Sequence, residues 1–125
     1  MVRVYIVDDS ELLRQRLIDM VSEIQGVEVV GEAGDVSEAE TSIRALKPDA
    51  VILDIRLPGG SGIDILRHVK REHEATIVIV LTSYPYPQYK KECLDAGADY
   101  FFQKAIEFGK VGEIFNHLAS THGPP

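Results

Sequence analysis

The chain has little of what would mark a secreted, membrane-bound or nucleic-acid-binding protein. A single cysteine, Cys93, rules out an intrachain disulfide and a multi-thiolate metal site, and such usage suits a reducing cytosol. The longest nearly unbroken apolar run, Ala75 to Leu81, falls far short of the roughly 20 residues a membrane span requires. The N-terminus enters a strand-like segment at once, without a basic region or cleavage-type site, so a cytoplasmic, untargeted protein with a complete fold is expected. Positive charge is also scarce: 13 Lys and Arg stand against 20 Asp and Glu, a net charge of -7. That balance opposes attraction to phosphate backbones and sets nucleic acid aside as a direct ligand.

What is present is one ordinary domain. At 125 residues, 45% hydrophobic and 26% charged, the chain fits a single core and leaves no room for a second. Short, β-branched apolar runs alternate with segments of helical spacing. Strands are expected at Val2–Val7, Val27–Gly31, Ala50–Asp54, Thr76–Leu81 and Tyr100–Gln103. Helices are expected from Glu11 to Ile24 behind a Ser10 cap, from an Asp35 cap to Leu46, and over Ile63–Arg71, Gln88–Ala96 and Glu107–Ala119. Leu57 to Gly62 and Thr82 to Pro87 read as loops, and Gly109 and Gly112 weaken the last helix. Residues 1–120 form the expected domain and 121–125 a frayed tail. Five strand–helix repeats with short connections imply an α/β fold, a single doubly wound (βα)5 parallel five-stranded sheet with helices on both faces. The fourth strand is the most hydrophobic segment and is expected at the centre.

In such sheets the site lies beyond the carboxyl ends of the strands. Asp8 and Asp9 follow the first strand, Asp54 ends the third, Thr82 follows the fourth and Lys104 follows the fifth. One aspartate there is an ordinary helix cap; three acids, a hydroxyl and a lysine at one edge make a pocket. Carboxylates about 4 Å apart repel by about 4 kcal/mol per pair at an effective dielectric near 20, a strain that a hard divalent cation relieves. Oxygen donors suit Mg²⁺ or Mn²⁺. The four histidines, His68, His73, His117 and His122, are placed away from this edge, on the surface.

The constellation resembles the receiver domains of two-component response regulators over essentially the whole chain. The likeness rests on Val7-Asp8-Asp9-Ser10, on Asp54 with Pro58 and Gly62 behind it, on Leu81-Thr82-Ser83, and on Gly97-Ala98-Asp99-Tyr100-Phe101-Phe102-Gln103-Lys104. The resemblance implies a flavodoxin-like topology and a phosphoacceptor, Asp54, that takes a phosphoryl group from a histidine kinase or phosphotransfer protein. It implies Mg²⁺ (or Mn²⁺) held by Asp9, Asp54 and the backbone carbonyl of Arg56, with Asp8 reaching it through water. Lys104 and Thr82 would contact the phosphoryl oxygens. Thr82 and Phe101 would form the switch to the face of the fourth helix, fifth strand and fifth helix. The output is then a surface change read by a downstream protein partner or effector domain, with a phosphorylation-dependent homodimer as one form, and no catalysis beyond the domain's own phosphorylation and dephosphorylation.

The sequence departs from the family at Ala105, where many receivers carry a cis proline; a cis bond before a non-proline residue costs about 2.5 to 4 kcal/mol, so a trans bond is expected. Arg56 and Tyr84 are both large and are expected to flank the pocket mouth. Two other readings compete. An aspartyl-phosphate hydrolase of the haloacid-dehalogenase type needs an acid two residues after the nucleophile, where this chain has Arg56. A non-phosphorylated pseudo-receiver would have lost one of the acids, Thr82 or Lys104, and none is lost.

Overall fold

The computed structural model describes residues 1–122. Five parallel strands form the sheet: β1 (Val2–Val7), β2 (Val27–Ala33), β3 (Ala50–Leu53), β6 (Ile77–Thr82) and β7 (Tyr100–Gln103), in the order β2-β1-β3-β6-β7. A small antiparallel pair, β4 (Arg56–Leu57) and β5 (Gly60–Ser61), follows β3. The helices are α1 (Glu11–Ser22), α2 (Val36–Leu46), α3 (Gly62–Glu72), α4 (Pro87–Asp95) and α5 (Lys104–His122). This is the expected doubly wound, flavodoxin-like order, whose switch point lies between β1 and β3.

Alternation along the strands splits the core in two. Tyr5, Val7, Val51, Leu53, Val78 and Val80 face α2, α3 and α4, whereas Val4, Ile6, Ile52, Ile79 and Leu81 face α1 and α5. With both faces covered, the strands read as continuous apolar runs.

Several boundaries differ from expectation. β6 is interior but is not the middle strand; that place belongs to β3, and hydrophobicity alone does not separate two strands that are each covered on both faces. β6 also runs one residue later, to include Thr82, and β2 continues to Ala33 past an irregularity opposite Val4/Tyr5. The extension passes through Gly31, where an added Cβ would lie 2.7 Å from the Tyr5 ring. Helix α1 stops at Ser22, two residues early.

The loop expected at Leu57–Gly62 contains the β4–β5 pair, turned through Pro58 and Gly59. Gly59 has φ +84°, as the third position of a type II turn requires. Helix α5 starts at Lys104 rather than Glu107. Glu107 reaches back instead, its carboxylate accepting from the Gln103 N–H at 3.0 Å, which satisfies a donor at the helix start. That bond, helped by Lys110, holds the Glu107 carboxyl below its ordinary pKa. The two glycines do not interrupt α5: Val111, Phe115 and Leu118 anchor it in the core. Thr121 and His122, expected in the tail, continue the helix, and the rest of that tail, 123–125, lies outside the described residues.

Candidate functional site

The strand pair at the switch point delivers the acids. Ladder hydrogen bonds continue one residue past each strand, from the Asp8 N–H to the Ala33 carbonyl (3.1 Å) and from the Asp54 N–H to the Val7 carbonyl (3.1 Å). Both aspartates are thus carried in extended register to the carboxyl edge, where they are 2% and 4% exposed. Asp9, next in the chain, is exposed. Carboxylate oxygens of Asp8, Asp9 and Asp54 lie within 4.8 Å of one another, the only such acidic, histidine or cysteine cluster among the described residues.

Lys104 closes the pocket from the start of α5. Its ammonium donates to Asp8 Oδ2 at 2.6 Å and Asp54 Oδ2 at 2.7 Å. The other oxygen of each buried carboxylate accepts a backbone N–H, Ser10 to Asp8 Oδ1 (2.9 Å) and Ile55 to Asp54 Oδ1 (2.7 Å). Burial raises the Asp8 carboxyl pKa and outweighs the bonds from Lys104 and Ser10 that pull it down. Burial also works against the Lys104 ammonium, but its two carboxylate partners more than offset this and its pKa ends above the ordinary value. One ammonium shared between two carboxylates leaves Asp9 uncompensated. An oxygen-only donor set with surplus negative charge fits a hard divalent cation such as Mg²⁺ or Mn²⁺. The Lys104–Ala105 bond is trans, as expected, and the lysine reaches both acids without a cis bond.

Backbone packing behind Asp54 explains Gly62. A Cβ at Gly62 would fall 1.8 Å from the Asp54 carbonyl oxygen, so only glycine lets α3 start there. The Gly62 N–H donates to the Ile55 carbonyl at 2.7 Å, closing the hairpin onto the strand end.

Two residues past Asp54, the Arg56 guanidinium lies 4.1 Å from the centre of the Tyr84 ring, a cation–π contact. Tyr89 on α4 lines a groove with Arg56, and its hydroxyl is the main cause holding the Arg56 pKa above the ordinary value. Tyr86 packs on Tyr89 with ring centres 5.8 Å apart.

The structure therefore brings Asp8, Asp9, Asp54 and Lys104 together, and Arg56 with Tyr84. Thr82 ends the neighbouring strand, fully buried, and its Oγ1 accepts from the Tyr84 N–H at 3.0 Å. Phe101 is half-buried against the α2–α3–α4 side of the core, in register with Val80. Two of the histidines expected at the surface are half-buried: His68 joins Glu40 at 2.6 Å between α3 and α2, and His73 caps α3. Sequence reading missed Arg14 and Tyr89. Arg14 donates to the Asp8 carbonyl (2.6 Å) and to Glu32 (2.8 Å). Its partners come from a turn and a distant strand, so no local pattern marks it.

A family model described as the response regulator receiver domain matches residues 4–116. The chain belongs to that family. It is 37% identical over 107 residues to the "DNA-binding transcriptional activator DevR/DosR" of Mycobacterium tuberculosis, covering 86% of this chain and 49% of that protein. It is 35% identical over 111 residues to the "Response regulator GacA" of Pseudomonas viridiflava, covering 89% and 52%. The receiver therefore spans about half the length of these curated relatives. Among solved structures, the signal receiver domain of the putative response regulator NarL from Mycobacterium tuberculosis superposes with a TM-score of 0.84 at 31% identity, covering 95% of this chain and 96% of that one. The response regulator domain of Thermotoga maritima CheB gives 0.83 at 30%, covering 97% and 95%. None of the receiver's described helices is long and apolar enough to cross a membrane.

Proposed function

We propose that this receiver accepts a phosphoryl group on Asp54 from a phosphohistidine of a sensor kinase or phosphotransfer protein. The observation that carries this reading is Lys104 bridging the two buried carboxylates beside an uncompensated third acid. Asp9, Asp54 and the backbone carbonyl of Arg56 would hold Mg²⁺ (or Mn²⁺), with Asp8 through water; bound there, the ion would neutralise charge on the phosphoryl oxygens.

An Asp54 carboxylate oxygen attacks phosphorus, the P–N bond to the donor imidazole breaks, and the neutral imidazole leaves with the proton it takes up. The product is an acyl phosphate on Asp54. Lys104 exchanges its bond to Asp54 Oδ2 for one to a phosphoryl oxygen and carries α5, which begins at that residue, with it. Thr82 gives up its bond from the Tyr84 N–H and donates its hydroxyl to another phosphoryl oxygen. Its movement leaves space for Phe101 to turn inward, and the face of α4, β7 and α5 changes for a downstream protein partner, an effector domain or a second copy. On this reading the receiver itself does no chemistry on other substrates, makes no direct contact with nucleic acid or membrane, and works in the cytoplasm.

Incubation with Mg²⁺ and a small phosphodonor tests this. A stable gain of one phosphoryl supports the receiver, rapid turnover indicates a hydrolase, and no gain a pseudo-receiver.

A further inference from the structure

Asp9 is the acid whose direction most needs explaining. Asp8 and Asp54 are locked by Lys104 and by backbone N–H groups, but the exposed Asp9 carboxylate has no hydrogen bond or ion pair among the described residues. Only the backbone that carries it limits where its carboxylate can reach. That backbone is held at one atom: Arg14 Nη1 donates to the Asp8 carbonyl oxygen at 2.6 Å, while its Nε bonds Glu32 Oε1 at 2.8 Å at the end of β2. The Arg14 side chain is only 16% exposed, and the absence of a Cβ at Gly34 leaves room for its guanidinium. A peptide unit is planar, so fixing the Asp8 carbonyl fixes the Asp9 nitrogen and Cα as well.

We propose that Arg14 is a positioning residue that aims Asp9 into the cation site by clamping the Asp8–Asp9 peptide to β2. The planar guanidinium suits this because two of its donors leave at a fixed angle, one to each anchor. The proposal rests on the three acids being a cation site. Arg14 touches neither the cation nor the reacting atoms; it acts by setting affinity, as outer partners of metal ligands do.

Mg²⁺ binding measured by calorimetry tests it, on the parent, Arg14→Gln and Arg14→Lys, each checked for a folded state by circular dichroism without metal. Arg14→Gln is expected to weaken Mg²⁺ binding roughly ten-fold. Arg14→Lys, whose single ammonium cannot span both anchors, should also bind more weakly. Phosphorylation of both variants should return to the parental rate at saturating Mg²⁺, because only the cation's affinity is lost. A purely structural arginine would lower thermal stability and leave the Mg²⁺ affinity of the folded protein unchanged. Parental affinity in either folded variant overturns the proposal alone. A parent that binds no Mg²⁺ overturns it together with the cation-site reading.

Discussion

The two ends of the sheet differ in how completely their charges are paired. At the amino edge the half-buried Arg3 and Lys70 both close backbone hydrogen bonds. Arg3 donates to the Leu46 and Lys47 carbonyls, and the Arg3 N–H donates to Asp49. Lys70 donates to the Glu74 and Thr76 carbonyls and to Asp99, which in turn accepts from the Val78 N–H. At the carboxyl edge two buried carboxylates share one lysine and a third acid stands alone. Charge that satisfies backbone groups stabilises the fold; charge in excess of its partners is what a bound cation would offset. The same chain thus makes one edge scaffold and the other the candidate site.

The largest expected effect comes from removing the lone acid. Asp9→Ala should lose most Mg²⁺ affinity while keeping the fold, as circular dichroism and a metal titration would show; unchanged affinity would mean the carboxyl edge is no cation site.

A pair of substitutions with opposite signs sharpens the contrast. Lys70→Met leaves acceptors at the amino edge unsatisfied and should destabilise by roughly 1 to 3 kcal/mol in urea unfolding. Asp8→Asn should instead stabilise the metal-free protein at neutral pH. The sign follows from the raised Asp8 pKa: the folded state penalises the ionised form, so the cost is full above the folded pKa. That cost shrinks as pH falls through the folded value and vanishes below the ordinary carboxylate value of 3.8, where parent and variant should converge. A destabilised Asp8→Asn at neutral pH would erase the difference between the edges.

The smallest effect concerns the mouth of the site. Arg56 packed on Tyr84 is expected to cover the approach of a water in line with phosphorus once Asp54 carries a phosphoryl group. Arg56→Asn combined with Tyr84→Glu should lose phosphate several-fold faster at fixed Mg²⁺, followed by intact mass. Equal or slower decay means these side chains do not gate the water.

How far each edge was legible in the sequence follows from the same contrast. Asp8, Asp9 and Asp54 were visible because apolar runs such as Val51-Ile52-Leu53 end abruptly in acid, and Lys104 because it closes the last strand. Proline and glycine marked a turn at Pro58–Gly59, but four residues pairing as a short hairpin carry no periodicity. Glu107 reads in sequence as the residue that opens α5, whereas it lies in the first turn of a helix that starts at Lys104 and its carboxylate accepts from the Gln103 N–H. Arg14, Tyr89 and the Lys70–Asp99 clamp depend on contacts across the chain. A long charged side chain that will bond a distant carbonyl looks, in sequence, like any solvated one.

Intact-mass and peptide analysis after exposure to a small phosphodonor and Mg²⁺, on the parent and on Asp54→Asn, decides whether the carboxyl edge does the chemistry assigned to it. One added phosphoryl should appear on the parent, map to Asp54, and be absent from the equally folded variant. Labelling of Asp54→Asn at the parental rate, or a phosphoryl mapped to another residue of the parent, would contradict the assignment.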